Sequence, residues 1–65
     1  MQMKINGSER DVQATTVAAL LGELKLDATR VAVELNLAII LQAHFAQTPL
    51  AAGDTIEIVQ FVGGG

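Results

Sequence analysis

The sequence predicts an α+β fold, a small mixed sheet of four to five strands covered on one face by a single helix. Three observations carry this. Asn6-Gly7 sits between two short segments and is the strongest short-range hairpin signal, because both central residues of a type I′ turn need φ > 0. Val17, Leu20, Leu21 and Leu24 fall at i, i+3, i+4 and i+7, the stripe of one helical face. The stretch from Ile56 to Val62 is built of Val, Ile and Phe with few polar interruptions, the residue types that suit a packed, pleated surface. One helix over one small sheet is the two-layer solution for such a set of elements.

Taken in order, Met1 to Ile5 reads as a first strand, and Ser8 to Val12 as its hairpin return. The return strand is polar, which suits a sheet edge where charge discourages pairing with other chains. Thr15-Thr16 offers an N-cap for the helix, and Gly22 inside it costs up to about 1 kcal/mol relative to Ala, so the helix depends on packing. Lys25 to Arg30 is a connection with a turn at Asp27 to Thr29. Val31 to Leu35 is a third strand, Asn36 a turn, and Leu37 to Leu41 a short fourth strand. Only alternate residues of that strand can face one core, so part of Leu37, Ile39 and Leu41 must lie at the surface, as a candidate partner-binding face. Gln42 to Ala52 is irregular, with a helical turn near Ala43-His44-Phe45, and Phe45 and Leu50 are expected to plug the core. Ala52-Gly53-Asp54 turns the chain into the last strand, where Ile56, Ile58 and Val62 should share a face. Its apolar character places it in the middle of the sheet, parallel to the first strand.

Length and composition narrow the function. Sixty-five residues allow one domain with one small core, here residues 1–62, followed by residues 63–65 as a flexible tail. The apolar fraction of 51% against 17% charged is globular. No cysteine is present, which excludes a disulfide framework, a thiolate metal site and a thiol nucleophile. A formal charge of −3 with only Lys4, Arg10, Lys25 and Arg30 as cations argues against binding a phosphate backbone. No apolar run is long enough to span a bilayer and no signal-peptide pattern is present, so a cytoplasmic location away from nucleic acid and membrane is the expectation.

Catalytic constellations are missing. His44 is the only histidine, so neither a multi-histidine metal site nor a histidine relay can be built, and it reads as a surface residue. The carboxylates are dispersed along the chain rather than paired for acid–base work. Glu34 and Glu57 read as solvent-facing strand residues, with an acidic docking face as the other option. The chain is not expected to be an enzyme, nor to bind a metal or cofactor of its own.

The remaining feature is Gly63-Gly64-Gly65, which follows a core strand with no polar spacer. Glycine has no Cβ, so such a tail can pass through a channel that any side chain would block, and it reaches about 10 Å when extended. The working group is then the carboxylate of Gly65, with Gly64 and Gly63 as the threading residues. A carboxylate is a poor electrophile and needs activation first, for instance as an acyl-adenylate made from ATP by a partner.

Several blocks together resemble one family. Met3-Lys4-Ile5-Asn6-Gly7, Arg30-Val31-Ala32-Val33-Glu34-Leu35-Asn36, Gly53-Asp54-Thr55-Ile56-Glu57-Ile58-Val59 and Phe61-Val62-Gly63-Gly64-Gly65 look like the ThiS family of thiamine-biosynthesis sulfur carriers, within the ubiquitin-like β-grasp superfamily. The resemblance implies that an adenylyltransferase similar to ubiquitin-activating enzymes adenylates Gly65 with ATP. It also implies that a cysteine desulfurase relay supplies sulfur for a thiocarboxylate, which passes sulfur to thiazole synthase. Leu37, Ile39, Leu41 and Phe61 are the candidate docking residues. The chain departs from the family pattern after Asn36, where Leu37 stands in place of a Gly or other small or polar residue, and at Leu41-Gln42. Two alternatives remain open at this point: a sulfur carrier of molybdopterin synthesis, and a ubiquitin-like modifier or interaction module.

Overall fold

In the computed structural model, which describes residues 1–62, the strands are β1 (Gln2–Ile5), β2 (Ser8–Asp11), β3 (Val31–Leu35), β4 (Ala38–Ile40) and β5 (Thr55–Gln60), with one helix, α1 (Val17–Glu23). They form one sheet in the order β2-β1-β5-β3-β4. β5 occupies the centre, parallel to β1 and antiparallel to β3, and β2 lies at the edge, as its charge predicts.

Period-two alternation builds the inner face. Met3 and Ile5 of β1, Val31 and Val33 of β3, and Ile56 and Ile58 of β5 are buried. They pack with Val17, Leu20 and Leu21 of α1. Leu24, the last residue of the predicted stripe, is only half-buried and serves as the C-cap. The helix starts where Thr16 Oγ1 accepts from Ala19 N–H. It ends in a Schellman motif: Lys25 takes φ +59°, Leu26 N–H donates to Leu21 C=O, and Lys25 N–H donates to Gly22 C=O. The open end of the core is closed by the 3₁₀ segment Gln42–Gln47 and the chain after it, with Phe45 and Leu50 buried. Two backbone bonds, Val17 N–H to Thr48 C=O and Leu50 N–H to Thr15 C=O, hold this cover against the start of α1.

Three expectations need correction. The segment after Leu41 is a six-residue 3₁₀ helix rather than one turn. The fourth strand is three residues long, because Leu37 belongs to the turn before it and Leu41 caps the 3₁₀ segment after it. Val62 does not join Ile56 and Ile58 in the core. It is 95% exposed, because β5 ends at Gln60, level with Val31 at the start of β3, and no inner-face neighbour continues beyond that row. The expectation of a flexible glycine tail lies outside the described residues.

The two hairpins are built alike. Asn6-Gly7 has φ +49° and +86°, and Asn36-Leu37 has φ +49° and +72°, so both are left-handed two-residue turns of the I′ kind. Asparagine tolerates this region and glycine enters it freely, whereas a leucine there is strained. Leu37 is also 91% exposed, so packing contributes little to offset the strain. Leu37→Gly is therefore expected to stabilise the chain by about 0.5–1 kcal/mol, after allowance for the extra freedom glycine gives the unfolded state. A higher urea midpoint with an unchanged m-value checks this, and a lower midpoint would mean that Leu37 makes a compensating contact.

Candidate functional site

In the chain, β5 is followed by Phe61 and Val62 and then by Gly63-Gly64-Gly65. Backbone bonds on both sides fix the strand. Phe61 N–H donates to Arg30 C=O at 2.8 Å, Asn36 N–H to Thr55 C=O at 2.8 Å, and Asn6 N–H to Ile56 C=O at 3.0 Å. Two asparagine side chains add to these. Asn6 Oδ1 accepts from Ile58 N–H at 2.7 Å, and its Nδ2 donates to Ile58 C=O at 3.1 Å. Asn36 Oδ1 accepts from Thr55 N–H at 2.9 Å, and its Nδ2 donates to Asp54 Oδ1 at 3.0 Å. Asp54 Oδ2 in turn accepts from Ala51 N–H, which closes the turn before β5. The strand before the glycines is thus tied along its β3 side, and on its β1 side as far as Ile58.

The sheet face opposite α1 carries the exposed apolar side chains. Register places Ile39, Glu34 and Glu57 in one row across β4, β3 and β5, and Ala32 and Val59 in the next. Ile39 and Val59 are largely exposed and line one shallow depression with Ala32, Glu34 and Glu57. Leu37 lines a second depression at the β3–β4 turn, with Asn36, Thr55 and Glu57. Phe61, 58% exposed, follows Val59 by two residues beyond the end of the strand. Leu41 is exposed but lines neither depression. The structure therefore gathers Ile39, Glu34 and Glu57, sets Leu37 and Phe61 towards opposite ends of β5, and leaves Leu41 apart. Val59 is the residue sequence reasoning missed, although its odd parity, opposite to buried Ile56 and Ile58, was the available signal. Glu34 and Glu57 face each other across the strands, and like charges so placed repel. Neither has an ion-pair partner among the described residues.

No other group competes as a site. Among the described residues there is no cluster of three or more His, Cys, Asp or Glu fit for a metal ion, and no helix is long and apolar enough to cross a membrane. His44 is exposed, its backbone bonded within the 3₁₀ cover to Leu41 C=O and Thr48 Oγ1. Asp27 has a displaced pKa. Hydrogen bonds from the Thr29 hydroxyl and backbone N–H, helped by Arg30, hold its carboxyl below the ordinary value. It is fully exposed in the α1–β3 connection, where these bonds cap the short 3₁₀ turn Ala28–Arg30.

A five-stranded mixed sheet gripping one helix, with the central strand leading to a glycine run, defines a ubiquitin-like β-grasp domain. The comparisons specify which kind. The model of the ThiS family matches residues 3–65, and the chain belongs to that family. The crystal structure of a thiamine biosynthesis protein (ThiS) from Geobacter metallireducens is 35% identical and superposes with a TM-score of 0.85 over 100% of both chains. A solution structure of a thiamine biosynthesis protein from the same organism gives a TM-score of 0.81 at 35% identity, covering 100% of this chain and 88% of that one. Two curated relatives are each called thiazole synthase. The one from Paramagnetospirillum magneticum is 52% identical over 66 residues, and that from Magnetococcus marinus is 36% identical over 66 residues. The chain is covered completely in both matches but spans only 20% of either relative's length.

Proposed function

We propose that this chain is a sulfur carrier for thiazole formation in thiamine biosynthesis, acting in the cytoplasm as a protein co-substrate rather than as a catalyst. The observation that carries this reading is the attachment of Gly63-Gly64-Gly65 to β5, the central, doubly hydrogen-bonded strand of a ThiS-family fold. A carboxylate oxygen of Gly65 attacks the α-phosphorus of ATP on a ubiquitin-activating-like adenylyltransferase, releasing pyrophosphate and leaving an acyl-adenylate. A persulfide fed by a cysteine desulfurase relay then displaces AMP to give an acyl disulfide, a second thiol attacks its S–S bond and is left as a disulfide, and the thiocarboxylate so released delivers its sulfur to thiazole synthase. The name shared by the two curated relatives favours that acceptor over molybdopterin synthesis. Ile39, Val59 and Phe61, with Leu37 further along, form the apolar surface against which the partners dock, and Glu34 and Glu57 add negative charge to its middle.

The test is the intact mass of the chain after incubation with ATP, the adenylyltransferase and a sulfur donor. The expected result is a gain equal to replacing one oxygen by sulfur. Isopeptide adducts in its place would identify a modifier, and an unchanged mass beside a converted control carrier would overturn the reading. Phe61→Asp should raise the KM for activation about tenfold, the effect of losing one well-placed interface contact.

A further inference from the structure

The sheet contains an opening beside its central strand. β1 ends at Ile5, whereas β5 runs on to Gln60, and the hydrogen bonds along β5 show which way each residue faces. The odd-numbered Thr55 and Phe61 bond towards β3 and the turn that follows it. The even-numbered Ile56 and Ile58 bond the other way, to the backbone and then the side chain of Asn6. The side-chain amide of Asn6 thus takes the place of one further β1 residue. Gln60 is next in the same parity. Its N–H and C=O face the same side, and among the described residues they meet no protein group.

A notch of about 380 Å³ opens next to this edge, lined in part by Asn6, Arg10, Glu23, Lys25 and Gln60. The Glu23 carboxylate is taken up by the backbone N–H groups of Gln13 and Ala14, at 3.0 and 2.9 Å. Arg10 and Lys25 have no ion-pair partner among the described residues, and against Glu23 they leave the notch with an excess of positive charge.

We propose that the Gln60 edge is a strand-pairing site for an extended segment of the adenylyltransferase, which places an acidic side chain in the notch. This rests on the sulfur-carrier reading. A donor and an acceptor on one residue match the backbone of an extended chain, and Asn6 already shows an amide paired with β5 in that manner one step earlier. The other open edges are protected in the usual ways: β2 carries Glu9, Arg10 and Asp11, and β4 has three residues. The Gln60 edge has neither protection, and it continues towards the glycines. Pairing there fixes the direction in which the chain approaches the nucleotide, which converts part of the search for a reactive geometry into binding.

The test uses the full chain made by chemical synthesis with N-methyl-Gln60. That N–H bonds nothing among the described residues, so the melting temperature should equal that of the unmodified protein. The KM for activation should rise about tenfold, with kcat within about twofold. Gln47→Ala, exposed on the 3₁₀ cover and outside the notch, should behave as the unmodified chain does, while Arg10→Glu combined with Lys25→Glu should raise KM. Equal activation of the N-methylated and unmodified chains would overturn the pairing alone, as would an equal loss in Gln47→Ala. A loss confined to later sulfur delivery would overturn it too. An unmodified chain that is never activated would remove the carrier reading and the pairing together.

Discussion

Deleting Gly65 is expected to abolish the oxygen-for-sulfur mass gain, and Gly64→Ala to slow activation about 100-fold, the cost of displacing a reacting group by roughly 1 Å. The proposed chemistry needs a carboxylate oxygen of Gly65 within bonding distance of ATP's α-phosphorus, so removing the residue moves the reacting group by a whole peptide unit. Adding one methyl at Gly64 leaves the carboxyl in the chain but widens the part that must pass into the partner. Stability separates this from a folding defect. The buried core is made by residues up to Ile58, so urea melts of both variants should overlay that of the parent chain. Normal conversion of Gly64→Ala would mean that the partner accepts side chains there, and the steric argument for a glycine tail would fall.

Ile56→Ala is expected to destabilise the fold by about 2–5 kcal/mol. A domain of this length is worth on the order of 3–10 kcal/mol in total, so the variant should be unfolded in part or whole at room temperature. Ile56 is 0% exposed, sits beside Ile5 of β1 and Leu35 of β3, and belongs to the cluster that includes Leu20 and Leu21 of α1. Truncation leaves a cavity bounded by both layers, with little room for either to close on it. Val59→Ala, three residues on and facing outward, should shift stability by no more than about 0.5 kcal/mol while weakening partner docking. Urea denaturation of the pair decides the matter: a loss below about 1 kcal/mol at Ile56 would show that the core repacks freely.

The parts of this fold that could be read from the chain are those governed by local rules. Asn6-Gly7 admits few structures other than a tight hairpin, and Val17, Leu20 and Leu21 can share a buried surface only on a helix. The central, parallel position of β5 followed from the apolar residues Ile56, Ile58, Val59, Phe61 and Val62 in the last stretch of the chain. What escaped depends on where neighbours stop. Val62 has the composition of a strand residue, yet it lies past the last row of its partners. Val59 resembles Ile58 in the sequence and differs only in parity. The 3₁₀ cover at Gln42–Gln47 has no strong periodicity, because its conformation is set by docking Phe45 and Leu50 into an existing opening. For the site, Ile39 and Phe61 were legible as apolar residues in excess of what one core can hold. The pairing of Asn6 with Ile58 spans 52 residues and leaves no trace in local pattern.

The two asparagine clasps bear on how the domain responds to force. An enzyme that draws in the glycines pulls on β5 along its own axis, and that strand lies between a parallel neighbour and an antiparallel one. Such a load reaches the ladder bonds and both clasps in shear, all together, where an edge strand would peel away one bond at a time. On the carrier reading proposed above, the chain could be tugged by its tail, handed from one partner to the next and released, while its body keeps its shape.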